Sequence, residues 1–152
     1  MPQTLTTPRG ETLSGTPWQV YPRPQMRRDS YINLNGEWDF AVSSGKPETF
    51  DMRITVPFCP ESRLSGIGRH FEEGAPLWYR RRFLLPEGFR RERVLLHIGA
   101  ADQIAEVFVN GQHLCHHEGG YASFCVDITE ALAEENELVI RCTDDLHDQA
   151  FP

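Results

Sequence analysis

The chain has 152 residues, 39% of them hydrophobic, and a formal net charge of -7 from 22 acidic and 15 basic residues. That is material for one core and too little for two sheets with a separate enzyme barrel, so one domain is expected. Nine phenylalanines and three tryptophans exclude disorder except at the ends, and the acidic balance excludes a nucleic-acid surface, which needs concentrated positive charge.

Residues 1–30 hold Pro2, Pro8, Pro17, Pro22 and Pro24 with Gly10 and Gly15. This spacing predicts no regular helix and only extended pieces, so residues 1–26 are read as an extended arm. From Asn35-Gly36 the chain enters a strand in which Trp38, Phe40 and Val42 share one face and Glu37, Asp39 and Ser43 the other, the mark of a half-buried antiparallel strand. Met52 to Val56 reads as a second strand that stops at Pro57, because proline donates no ladder hydrogen bond. The stretch from Pro57 to Pro76, with Gly66, Gly68 and Gly74, reads as a long surface connection of a length that points to a docking or functional role.

Trp78 to Leu85 resumes the strands and Pro86-Glu87-Gly88 stops them. Val94 to Ile98 and Ile104 to Val109 follow, the latter running into Asn110-Gly111. Both residues of that pair tolerate the positive φ of a tight hairpin, so Gln112 to His116 is expected to return beside Ile104–Val109. Gly119-Gly120-Tyr121 bends the chain before Phe124, Val126 and Ile128, which are expected to face inward. Thr129 is read as the N-cap of one or two helical turns over residues 130–135, with Leu132 docked on the core. Asn136 then turns the chain into a last strand, Leu138 to Thr143. The strand pattern, with no helix long enough to replace it, predicts an all-β sandwich.

Four cysteines, Cys59, Cys115, Cys125 and Cys142, are spaced 56, 10 and 17 residues apart and match no close-paired metal motif. They read as free thiols, with Cys125 and Cys142 in strand cores. No segment is long and apolar enough for a bilayer, and the opening MPQTLTTPRG lacks a leader's apolar core, so a cytoplasmic protein without membrane contact is expected. The acidic residues from Asp127 to Asp148 read as a solvated rim.

Retaining hydrolysis of a glycoside requires two carboxyl groups about 5 to 5.5 Å apart across one bond. Asp144 with Asp145, and Glu134 with Glu135, are sequence neighbours that strand or turn geometry splays, so no catalytic residue is assigned. His116-His117-Glu118 lacks further ligands for a metal, and neither metal nor cofactor is expected. Trp78 and Tyr79 alternate across a strand, so only one faces the core; core or interface packing and stacking on a sugar ring are both open to them.

The run Leu34-Asn35-Gly36-Glu37-Trp38-Asp39-Phe40, then Val56-Pro57-Phe58, Leu77-Trp78-Tyr79-Arg80-Arg81-Arg82-Phe83, Val107-Phe108-Val109-Asn110-Gly111, His117-Glu118-Gly119-Gly120-Tyr121-Ala122-Ser123-Phe124 and Asp127-Ile128-Thr129 resembles the N-terminal sugar-binding domain of glycoside hydrolase family 2. The family includes β-galactosidases, β-glucuronidases and β-mannosidases, and the resemblance covers residues 27–146. It implies a jelly-roll β-sandwich like galactose-binding domains. In the family an immunoglobulin-like domain and a (β/α)8 barrel with two catalytic glutamates come next, so residues 147–152 are expected as a truncated exit toward these missing C-terminal partners.

The resemblance also implies site roles. The loop from Phe58 through Arg63 to Gly68 resembles one that reaches a barrel entrance, and His117, Glu118 and Tyr121 lie in a turn near the barrel contact. Together with Trp78 and Tyr79 these are the candidate substrate-entrance or interdomain residues; Asn110, Gly111, Gly119 and Gly120 are the structural turns. The expected function is that of a non-catalytic domain of a retaining β-glycosidase of β-galactosidase or β-glucuronidase type; Asp144-Asp145-Leu146-His147-Asp148 resembles segments of both, and the lean is toward the β-galactosidase type. The alternative is an independent carbohydrate-binding module, and a β-linked carbohydrate is the candidate small-molecule partner.

Overall fold

Alternation of apolar and polar residues, broken by glycine and proline, folds into eight strands: β1 (Gly36–Val42), β2 (Met52–Val56), β3 (Leu77–Leu84), β4 (Leu95–Ile98), β5 (Ile104–Val109), β6 (Gln112–Glu118), β7 (Phe124–Asp127) and β8 (Glu135–Thr143). The structure is a computed structural model that describes residues 7–14, 19–20 and 23–144. The chain divides into two units, residues 1–37 with 54–70 and residues 38–53 with 71–152.

The larger unit holds a six-stranded sheet of order β2-β1-β3-β8-β5-β6, which β1 and β2 join through Trp38–Val42 and Met52–Arg53, and a two-stranded sheet of β4 and β7. The pairs β1–β3, β3–β8, β5–β8, β5–β6 and β4–β7 are all antiparallel. The expected all-β sandwich of antiparallel sheets is therefore what forms. Phe40, Ala105, Val107, Val109 and Leu138, each no more than 1% exposed, make the inner face of the large sheet. Val126, Ile128 and Val94 are buried from the side of the small one, and the stacked rings of His117 and Phe124, 4.0 Å between centroids, join the two sheets. Each fully buried aliphatic or aromatic side chain contributes about 1.5–3 kcal/mol.

The outer face of the large sheet is covered too. Ala41, Trp78 and Val139 are buried there with Phe50 and Phe108 against them, and the Trp78 indole donates to the Ser43 carbonyl at 2.8 Å. This changes the reading of β1. Val42, expected inward beside Trp38 and Phe40, is only half-buried, whereas its neighbour Ala41 is 3% exposed. Residues 43–51 return Phe50 over the outer face, which burial by alternation alone does not foresee.

Three further expectations are corrected. The proline-rich arm does contain helix: Pro8–Thr12 forms a single α-turn and Pro24–Met26 a 3-10 turn. Proline is harmless in a first turn, where its missing N–H has no partner to lose, and the Thr7 hydroxyl accepts from Gly10 N at 3.1 Å. The rest of that arm expectation, residues 1–6, 15–18 and 21–22, and the exit at 147–152 lie outside the described residues.

Residues 130–135 do not become a helix capped by Thr129; only a 3-10 turn, Thr129–Ala131, forms. The Thr129 hydroxyl is used elsewhere, accepting from Val94 N at 2.9 Å, and the Asn136 amide binds both the N–H and the C=O of Ala133 at 2.8 and 3.1 Å, closing the segment. Cys125 is exposed rather than buried, since it sits opposite His97 in the small sheet and alternates with the inward Val126. Cys142 is buried as expected, and burial, followed by the Asp102 charge, pushes its thiol up to about 12.

The Asn110-Gly111 turn forms as expected, with φ of 51° and 81°, and it is also tied to β8. Asn110 Oδ1 accepts from Glu137 N at 2.8 Å and its Nδ2 donates to Ala131 O at 2.7 Å and to Asn136 Oδ1 at 3.0 Å. Asn136 is 2% exposed, so its removal strands several polar groups at once. Replacing Asn136 with Ala is expected to cost about 2–4 kcal/mol in urea unfolding; a cost under about 0.5 kcal/mol would show the network to be ornamental.

Candidate docking turn

The turn after β6 is built from its glycines. Gly119 has φ 125°, a region side chains rarely enter, and its N–H donates to Gln103 O at 2.9 Å, while Gln103 N donates to Thr143 O at 3.2 Å. A Cβ on Gly120 would lie 1.9 Å from Asp102 Oδ1, so only hydrogen fits. His117 holds the turn from inside through its stack on Phe124 and a 3.2 Å hydrogen bond from Nε2 to Gly119 O. The product is a fixed backbone from which Tyr121 projects, 98% exposed.

His117, Glu118 and Tyr121 are thus brought together with Gly119 and Gly120, while Asn110 and Gly111 occupy the opposite end of the β5–β6 hairpin. Trp78 and Tyr79 lie near the start of β3 on opposite faces. Trp78 is 5% exposed and stacks on Phe108, and half-buried Tyr79 meets Phe40 edge-on at 5.0 Å. Both rings are occupied by protein rings.

Phe58 and Arg63 belong to the smaller unit. Phe58 is half-buried and Arg63 exposed. Residues around them, expected as an open connection, make a compact turn: Ser62 Oγ accepts from Leu64 N at 3.2 Å, and Gly66, at φ 86°, ends the 3-10 turn Arg63–Ser65. The buried Ser65 hydroxyl donates to Ser62 O at 2.7 Å and accepts from Ile67 N at 3.0 Å. The short buried serine is what lets the loop fold on itself.

The sequence reading missed a cluster on the outer face of β5 and β6. Glu106 lies opposite His116 in register, and its carboxylate binds both His116 Nδ1 and His113 Nε2; His116 Nε2 in turn reaches Glu118 at 2.9 Å. Alternation along both strands was the available signal, hidden by a register shift between Val107 and Phe108 that brings His113 onto the same face. Partial burial pushes the Glu106 carboxyl up, but the hydrogen bonds from His116 and His113 outweigh it and hold it below its ordinary 4.5. The bonds to Glu118 and then Glu106 raise His116 above 6.5. No group of three or more such residues among the described ones is arranged to hold a metal ion.

Two consequences are measurable. Gly120→Ala is expected to cost about 1–3 kcal/mol in chemical denaturation because Asp102 must move, and an unchanged midpoint would refute the close approach. For the cluster, a raised His116 stabilises the fold below its unfolded value and stops doing so as pH climbs through its folded value. A lowered Glu106 stabilises above its unfolded value and is lost as pH falls through its folded one. The contribution is therefore greatest between about 4.5 and 6.5. Glu106→Gln should lower Tm more at pH 5.5 than at pH 8.5; equal losses at both would count against the linkage.

Among the described residues no helix is long and apolar enough to cross a membrane. Residues 68–150 match the family described as glycosyl hydrolase 2 galactose-binding domain-like. A β-glucuronidase of Paenibacillus borealis is 35% identical over 144 residues, 88% of this chain and 24% of that protein. That of Chlorocebus aethiops is 46% identical over 131 residues, 72% of this chain and 20% of the relative. Among solved structures, the Lactobacillus rhamnosus β-glucuronidase superposes with a TM-score of 0.63 at 28% identity, covering 78% of this chain and 22% of that one. The chain spans about a fifth to a quarter of the length of these proteins. What it matches is their galactose-binding-like, non-catalytic portion, with its jelly-roll sandwich. With more than half of its residues inside that family match and curated relatives at 35% and 46% identity, this chain belongs to glycoside hydrolase family 2 as its galactose-binding-like domain.

Proposed function

We propose that the domain packs against the catalytic barrel of a retaining β-glycosidase and helps to shape the entrance to its active site. The observation that carries this is the pairing of a rigid glycine turn with a fully presented tyrosine: Tyr121 is 98% exposed on a backbone fixed by Gly119, Gly120 and His117. An aromatic ring held at such a tip loses little entropy on being covered by a partner. Glu118, beside it, supplies a polar contact for the same role; in the smaller unit, taken by itself, the exposed Arg63 and the half-buried Phe58 are its interdomain candidates. Trp78 and Tyr79 serve it from inside, by stiffening the sheet.

The identities weigh the parent activity toward the β-glucuronidase type rather than the β-galactosidase type first expected. The free cysteines support a reducing, cytoplasmic setting. A chimera tests the reading: residues 1–144 replace the matching domain of the Lactobacillus rhamnosus β-glucuronidase, and turnover of nitrophenyl β-D-glucuronide is measured. The chimera should be active, and Tyr121→Ala should lower kcat/KM about tenfold, equivalent to roughly 1.4 kcal/mol. An active chimera indifferent to that change would remove Tyr121 from the interface, and an inactive but folded chimera would remove the domain's proposed role.

A further inference from the structure

β6 ends the large sheet: β5 pairs with one of its edges, and among the described residues no strand pairs with the other. An open edge is a template for a further strand, and native chains guard it with lysine or proline. β6 has neither, and His113, His116 and Glu118 are exposed along it. Its regular part is short, because the register shift between Val107 and Phe108 leaves Leu114 out of the ladder.

The ladder decides which backbone groups the edge presents. The Gly119 N–H donates to Gln103 O at 2.9 Å, so in this antiparallel pair the N–H and C=O of Gly119, His117 and Cys115 turn toward β5. Those of His116 and Glu118 turn outward. The outward His116 carbonyl meets the Cys115 thiol at 3.6 Å, a weak donor that a backbone N–H displaces. A strand added here in antiparallel sense therefore bonds through His116 and Glu118. When that strand is a second copy of β6, two-fold symmetry leaves three registers: His116 against itself, Glu118 against itself, or each His116 against Glu118 of the other copy. The first two set like groups opposite one another. The third sets opposite charges face to face twice, with two backbone hydrogen bonds exchanged at each pair.

From this geometry we infer that β6 is the contact edge of a homodimer, paired antiparallel about a two-fold axis at His117, with His116 of each copy opposite Glu118 of the other. His116 is oriented for the pairing: Glu106 engages Nδ1 and leaves Nε2 to carboxylates, its own Glu118 lying at 2.9 Å. Such pairing uses the same edge on both copies, so association through it stops at two. Glu118 is common to this contact and to the docking role proposed above, so association is read on the chain alone, where no barrel competes and failure of one reading leaves the other standing.

The test is sedimentation of the 152-residue chain at a pH of about 6, where His116, raised above 6.5 by Glu118 and then Glu106, is charged. Between about 10 µM and about 1 mM a monomer–dimer equilibrium is expected, with Kd on the order of 100 µM. The His116 and Glu118 amides should gain exchange protection as the dimer fills, and the His117 amide, which faces β5, should not change. Glu118→Lys and His116→Glu each set like charges at both pairs and should each raise Kd about tenfold. Mixed one to one, the two variants restore opposite charges at both pairs and should associate within about threefold of the parent chain. If His116→Glu does not fold, Glu118→Lys and the amide protection decide alone. A chain still monomeric at about 1 mM would leave the edge to an extended segment of another protein and overturn the inference. So would a Kd unchanged by Glu118→Lys, protection centred elsewhere, or a mixture no tighter than the separate variants.

Discussion

Strand β8 is the last of the described strands and lies inside its sheet, fourth from the β2 edge and third from the β6 edge, hydrogen-bonded to β3 on one side and β5 on the other. Until it is inserted, β3 and β5 each lack a partner on one edge, although β1 and β6 pair with their other edges, and the sheet stays split between β3 and β5. The cost is entropic: residues far apart in sequence must meet before any burial rewards them. The gain is that both ends of the β5–β6 hairpin are anchored to the same central strand. Asn110 ties one end to Glu137 and Asn136, and Gln103 ties the other to Thr143.

This anchoring links stability to the site. Gly119 hangs from Gln103, which hangs from Thr143, so the backbone that carries Tyr121 is only as rigid as the end of β8. His117 contributes from the interior, spending one ring face on Phe124 and one nitrogen on Gly119 O. A histidine in this position acts on the turn as a positioning residue, through that stack and that hydrogen bond.

The two faces of the large sheet do different work. The inner face is mostly apolar, with Arg81, Asn136 and His117 among its polar members. The outer face mixes a small aromatic patch with charges: Arg80 lies 4.2 Å over the Phe50 ring and 2.7 Å from Asp39, and Arg53 reaches the same carboxylate at 2.7 Å. The Arg80–Asp39 pair is partly buried, whereas Arg53 joins it from an exposed position and adds little. Their effect is to keep the covering segment over Trp78 while leaving the surface charged, and the Glu106 cluster extends the same pattern toward the β6 edge.

Much of this was legible in the residues themselves. Alternation located β1 to β5 to within a residue and the shorter cores of β6 and β8, and Asn110-Gly111 identified the hairpin, because period-two burial and positive φ are local demands with local signals. The ordered motifs from Leu34 to Thr129 pointed to the family. Other features depended on who meets whom: Phe50 covering Ala41, Thr129 serving Val94 instead of capping a helix, Cys125 turned outward, the register shift that gathers His113 with His116 around Glu106, and Asp102 pressed against Gly120. Most of these are set by which segments meet, and a side chain's partner there is chosen by the packed chain, since no local pattern carries the geometry of a surface that exists only after the sheets close; the outward turn of Cys125 is the exception, following from its alternation with the inward Val126.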